Sequence, residues 1–185
     1  TRLADVVNPI EIIRQYYDPA SELFAILTGH SLAVAGMAVE IANKHPELNA
    51  DMQFIYEAAM LHDIGIIRTD APGIGCHGDM PYICHGILGC MMLLEQGLER
   101  HAMVCERHTG AGITAEDIIA SNLPLPHRDM LPITIEEKII CYADKYFSKS
   151  RELSYRKTFE EALKSVSKFG QGSEERFLQL HEMFK

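Results

Sequence analysis

The sequence predicts an all-α fold, a single domain over residues 1–185 built as a bundle of about seven to nine helices. Three observations predict it. Apolar residues recur three and four positions apart in segment after segment. Those segments tend to open on Asn, Thr or Asp and to close near Gly or Pro. No run alternates apolar and polar residues convincingly, as a half-buried strand would.

Asn8-Pro9 is a helix start, Asn as cap and Pro at the first helical position, with Ile10, Ile13 and Tyr17 at helical spacing. Thr28 is read as the cap of a second helix running to Lys44, with Leu32, Ala35, Val39 and Ala42 as its stripe and Pro46 as its stop. Asp51 caps a third over Met52 to Ile64, with Gly65 placed to end it. Residues 68–81, rich in Gly and Pro, predict a loop long enough to serve function. A fourth helix is expected over Tyr82 to Gln96, its Met91-Met92-Leu93-Leu94 stripe in the core, and a fifth over Glu99 to His108. Thr114 starts a short sixth, and residues 123–132 form a second loop. Thr134 with Glu137 predicts a capping box for a seventh, with Asp144 mid-way along it. Residues 158–185 read as two amphipathic helices broken at Gly170-Gln171-Gly172.

Composition narrows the function classes. Apolar residues make up 47% and charged residues 23%, ordinary for a chain that buries one core. No apolar run is read as reaching the roughly 20 residues that cross a bilayer, so no membrane partner is expected. The opening Thr-Arg-Leu-Ala-Asp is too polar to predict a signal peptide, and a Thr at position 1 suggests that native first residues are missing. The net charge of −9, with no basic stripe, argues against a nucleic-acid polymer as partner. Five Cys without a Cys-x-x-Cys pair predict reduced thiols in the cytoplasm, and Cys76-His77 and Cys84-His85 fit a zinc knuckle poorly.

Nine His are present, and five invite chemistry, one of them His77 in the predicted loop. His30 opens the second predicted helix, His62-Asp63 ends the third, His85 begins the fourth and His108 ends the fifth. Asp144 follows Ile139, Ile140, Tyr142 and Ala143, so burial is expected. Buried carboxylates need a cation or donors, and imidazoles with carboxylates suit borderline divalent metals such as Fe, Mn, Co, Ni or Zn. His62 and Asp63, adjacent on a helix, should splay by about 100°, one ligating and the other bridging. His45, His101, His127 and His181 read as bland residues at helix ends, exposed faces or loops.

The order His30, His62-Asp63, Asp144 resembles the signature of the HD-domain superfamily of metal-dependent phosphohydrolases, and His62-Asp63-Ile64-Gly65 matches its HDIG variant. The resemblance covers residues 28–150. It implies an HD-type helical bundle and a metal site of His30, His62, Asp63 and Asp144. His85 and His108 would complete a second site, giving two divalent ions. Ile66 stands where many relatives active on cyclic dinucleotides have Lys, and no Gly-Tyr-Pro extension follows, which weakens that reading. The expected activity is hydrolysis of a phosphoester or phosphoanhydride in a small nucleotide-like metabolite. Asp63, His77 and Arg68 are the expected catalytic residues, and Arg68, Arg107 and Lys145 the expected phosphate contacts. A symmetrical dinucleoside tetraphosphate hydrolase, a mononuclear 5′-nucleotidase, a di-iron oxygenase and a non-catalytic ligand sensor stay open as alternatives. So does a homodimer.

Overall fold

The computed structural model describes residues 6–185; the polar opening read against a signal peptide lies outside them. Nine α-helices dominate those residues, with only a two-strand ribbon beside them. The chain is all-α, as its helical periodicity predicts.

α1 (Pro9–Arg14) is capped by Asn8, whose Oδ1 accepts from Glu11 N. α2 (Glu22–Lys44) starts seven residues earlier than Thr28 would place it, because Ser21 is the cap and accepts from Phe24 N at 3.1 Å. Thr28 instead donates back to Phe24 O at 2.8 Å, as a mid-helix Thr does. His30 therefore lies inside α2. The buried stripe is Leu27, His30, Val34, Ala38 and Ile41; Leu32 is exposed. By length and composition α2 could cross a membrane, with 23 residues and a mean hydropathy of 1.5 over its apolar window. Scattered Gly, Ala, Ser and His hide that run from a reader of Leu and Ile. Here the helix packs on the helices Met52–Leu61 and Ile135–Asp144.

α3 (Met52–Leu61), capped by Asp51, stops three residues before the expected Ile64. The chain turns at His62 and Asp63 and continues as a 3-10 turn over Ile64–Arg68. Gly65 is not the terminator. It is where this turn meets α4 (His85–Glu95): a Cβ there would collide with His85 O and lie 2.5 Å from Gly89 N. The expected loop at 68–81 contains the ribbon, β1 (Asp70–Ala71) paired antiparallel with β2 (Cys76–His77). Two-residue strands are too short to show alternation in sequence.

α4 follows a 3-10 turn over Tyr82–Cys84 and packs on α5 (Glu99–Glu106). Met92 and Leu93 are core, but Met91 and Leu94 are exposed, because four consecutive residues cannot share one helix face. α6 (Ala115–Ala120) carries a full capping box at Thr114 and Asp117. α7 (Ile135–Asp144) carries half of one: Thr134 accepts from Glu137 N, while Glu137 accepts from Ile133 N. Asp144 ends α7 rather than sitting mid-way. α8 (Phe159–Ser167) and α9 (Gln171–Phe184) break at Gly170, whose φ of 105° favours glycine.

Candidate metal centre

Five helices and the turns beside them carry polar side chains to one point. His30 comes from the middle of α2, His62 and Asp63 from the turn after α3, and Asp144 from the last residue of α7. His85 begins α4, and His108 follows α5. Asp63 has φ −106° and ψ 13°, off helical values and near the sparsely populated bridge region. That break undoes the splay expected of neighbours on a regular helix: His62 Nε2 and Asp63 Oδ2 are 3.2 Å apart.

Two sets of atoms result. In the first, His30 Nε2 is 3.1 Å from Asp63 Oδ2 and 3.0 Å from Asp144 Oδ1. His62 Nε2 is 3.1 Å from the same Asp144 oxygen. In the second, Asp63 Oδ1 is 3.1 Å from His108 Nε2 and 3.4 Å from His85 Nε2. The two ring nitrogens are 3.1 Å apart. Asp63 thus offers one oxygen to each set. Within each set the candidate ligand atoms all lie within 4.8 Å of one another.

Hydrogen bonding fixes which atoms are bare. The Nδ1 atoms of His62, His85 and His108 lie 2.6, 2.6 and 2.7 Å from the carbonyl oxygens of Ala59, Tyr82 and Cys105. A carbonyl only accepts, so each Nδ1 carries its proton and the neutral ring presents a lone pair at Nε2. His85 and His108 then face each other, and Asp63 Oδ1, as acceptors without a donor between them. Asp63 Oδ1 is buried without a hydrogen-bond partner. Acceptors this close, out of water, need a cation. The donors are imidazoles and carboxylates, and the backbone carbonyls orient the rings as in metal-ligating histidines. The residues fit divalent metal.

The electrostatics agree. Burial would raise the pKa of Asp63, but His62, Lys149, His108 and His30 hold it well below the carboxylate range. Burial lowers His62, yet Asp63 and Asp144 raise it to about 10. Burial, then the His108 ring, lowers His85 to about 3. Lys149 Nζ donates to Asp63 Oδ2 and Lys145 Nζ to Asp144 Oδ2, each at 2.7 Å. Lys145 also donates to His108 O, so it orients ligands besides facing outward.

The structure brings His30, His62, Asp63, His85, His108, Asp144 and Lys145 together. It does not bring the other three. Arg68 is exposed, 5.9 Å from the Tyr16 ring. Arg107 is held by Glu137 at 2.9 Å. His77 is exposed on β2, where the register with Asp70 turns it to another depression shared with Tyr17. The catalytic and phosphate roles expected of these residues find no support in their positions. His101, read as bland, is buried against Glu57 at 2.7 Å.

Sequence reasoning passed over two residues. Lys149 lies five positions after Asp144, and its signal was a small basic cluster in an acidic chain. Tyr17 donates to Ile64 O at 2.6 Å and accepts from Ile67 N at 3.2 Å, which holds the turn beside Asp63. Nothing in its helical spacing announced that.

The family model described as HD domain matches residues 27–148. An uncharacterized protein of Methanocaldococcus jannaschii is 43% identical over 118 residues, 62% of this chain and 62% of that protein. A tRNA (cytidine(56)-2′-O)-methyltransferase of Thermoplasma volcanium is 34% identical over 151 residues, 77% of this chain and 40% of that protein. Its namesake in Picrophilus torridus is 33% identical over 136 residues, 73% of this chain and 35% of that protein. The chain spans less than two thirds of each of these relatives. No solved structure gives a significant match.

Proposed function

The chain belongs to the HD domain family, and from that premise we propose that it is a phosphohydrolase with two divalent ions, acting on a phosphoester or phosphoanhydride of a small nucleotide-like metabolite. One observation carries the reading. The two oxygens of Asp63 face two separate sets of ring nitrogens, His30 with His62 and His85 with His108. A carboxylate placed so would serve two ions, one from each oxygen, and a mononuclear nucleotidase would have no use for the second set.

When bound, such ions supply positive charge for phosphate oxygens and acidify water. The chain's own residues do the rest. Asp63 and Asp144 hold the donor atoms in place, and Lys149 and Lys145 hold those carboxylates. Lys149 and Lys145 also line the depression that opens on His85, His108 and Asp144, where they meet an incoming phosphate. Tyr82, stacked on His85 with centroids 4.5 Å apart, closes one side.

The two relatives named as tRNA methyltransferases share under half of their length with this chain, and methyl transfer is said of those whole proteins. The donor set favours hydrolysis here. All five cysteines are free and buried, which suits the cytosol.

Protein purified without chelator should hold about two ions per chain and release phosphate in a nucleotide panel. Asp63→Ala should lose both ions and all turnover. Turnover that survives this change in metal-free buffer overturns the reading, and oxygen consumption without phosphate release replaces it with an oxygenase.

A further inference from the structure

Seven of the chain's 17 Lys and Arg residues, but only three of its 26 acids, fall between residues 145 and 168. In a chain of net charge −9 that concentration is local and opposite in sign. Two of the seven, Lys145 and Lys149, belong to the metal centre. Most of the rest form a wall. Arg151, Lys157, Lys164 and Lys168 line a depression of about 370 Å³. None of these four has a carboxylate within ion-pair distance among the described residues. The one acid on the wall, Glu161, is engaged: its Oε1 accepts from Tyr155 Oη at 2.7 Å and Thr158 N at 3.0 Å.

Lys157 joins this wall to the catalytic opening. It also lines the depression over His85, His108 and Asp144, and a third of about 430 Å³ floored by Ile74, Tyr82 and Phe147. Burial lowers its pKa; Asp144 opposes that, while Lys145, Arg151 and Lys168 add to it. Asp144 and Glu161, which Arg151 faces, offset part of that positive charge. Of the seven cations, all but Lys145 lie beyond the residues 27–148 that match the family model.

We propose that the wall of Arg151, Lys157, Lys164 and Lys168 is a second anion subsite, continuous with the metal centre through Lys157, that holds the uncleaved phosphates of a nucleoside polyphosphate. This rests on the hydrolase reading and names its substrate class. The reacting phosphoryl group sits over His85, His108 and Asp144. The remaining phosphates run along the wall, and the nucleoside rests in the apolar depression between Tyr82 and Phe147. A monophosphate would leave the wall empty.

The test is equilibrium binding to the metal-loaded protein by calorimetry. The probes are methylene-bridged tripolyphosphate, which resists hydrolysis, and orthophosphate. Tripolyphosphate should bind at least about tenfold tighter, with a steeper loss on adding salt. Lys164→Glu with Lys168→Glu, both exposed, should weaken tripolyphosphate by about tenfold. The control, Arg14→Glu with Lys44→Glu, makes the same charge change elsewhere and should stay within about twofold. If the reversals perturb folding by circular dichroism, the Gln pair at 164 and 168 should still cost about threefold. Equal binding of the two probes, or equal losses in wall and control variants, overturns the subsite. A 5′-phosphorylated oligonucleotide that binds tighter than tripolyphosphate overturns the small-molecule assignment. Tripolyphosphate binding that persists while every phosphoester stays intact overturns the hydrolase reading alone. Phosphate release from a monoester without any preference for tripolyphosphate overturns the subsite alone.

Discussion

The two halves of the donor cluster share Asp63 yet push His62 and His85 in opposite directions. Burial lowers the pKa of both His62 and His85. Around His62, Asp63 and Asp144 overturn that and raise it to about 10. Around His85, burial and the neighbouring His108 ring prevail, and it falls to about 3. The difference is one of carboxylates: the His30–His62 half sees two, and the His85–His108 half sees one oxygen of a shared one. Without an ion, the first half can hold a proton between His62 and the acids. In the second half burial disfavours a proton on either ring. The same ligand chemistry thus makes one half that favours a proton when empty and one that disfavours it.

The sharpest way to break that comparison is to remove one half at a time. Asp144→Asn should release the ion of the first half and leave the second, while His85→Ala should do the reverse. Elemental analysis should read about one ion per chain in each case, and each affected affinity should fall by more than the 10–100-fold that losing a supporting partner costs. Should either substitution strip both ions, the halves are one site and the comparison fails.

A smaller effect comes from pH. His62 carries a proton at neutral pH in the metal-free protein, so an ion entering the first half must displace it. Affinity there should rise by about tenfold per pH unit between about pH 6 and about pH 8. His85 is already neutral in that window, so the second half should change little. Metal titrations at fixed ionic strength would read both. Stability of the metal-free protein should move the other way. A folded pKa raised above the unfolded 6.5 stabilises fully below about pH 6.5 and is lost as pH rises toward about 10. Parallel affinity curves for the two halves would show that the proton difference is absent.

What the sequence revealed follows from how local each cause is. Helix periodicity and caps are local, so Asn8, Asp51, Thr114 and Thr158 mark their helices correctly. Thr28 misled because a Thr in mid-helix has the same composition signal as a cap, and only the donation to Phe24 O tells them apart. Asp63 and Asp144 were legible because acids in apolar helices demand partners, and the full set of six came from the resemblance to the HD family. Arg68 and Arg107 were judged by adjacency to motif residues and His77 by its place in the long loop, and neither says anything of direction. Arg107 turned to Glu137, a partner 30 residues on. Lys149 and Tyr17 act across 86 and 47 residues, beyond any local pattern.

Tyr17 allows the finest test of the two halves, because it touches neither. Its hydroxyl is buried and bridges Ile64 O and Ile67 N in the turn that begins at the shared Asp63. Tyr17→Phe keeps the ring and strands that carbonyl and that N–H, a cost of about 1–3 kcal/mol read from the denaturation midpoint at unchanged slope. Loosening the turn lets Asp63 shift against both sets of rings at once. Both ion affinities should therefore fall by a similar factor of up to about tenfold, since the change supports a ligand without being one. An effect confined to one half would mean that the oxygens of Asp63 are held independently, by Lys149 on one side and by the rings on the other. Asp63 would then belong to two sites rather than joining them.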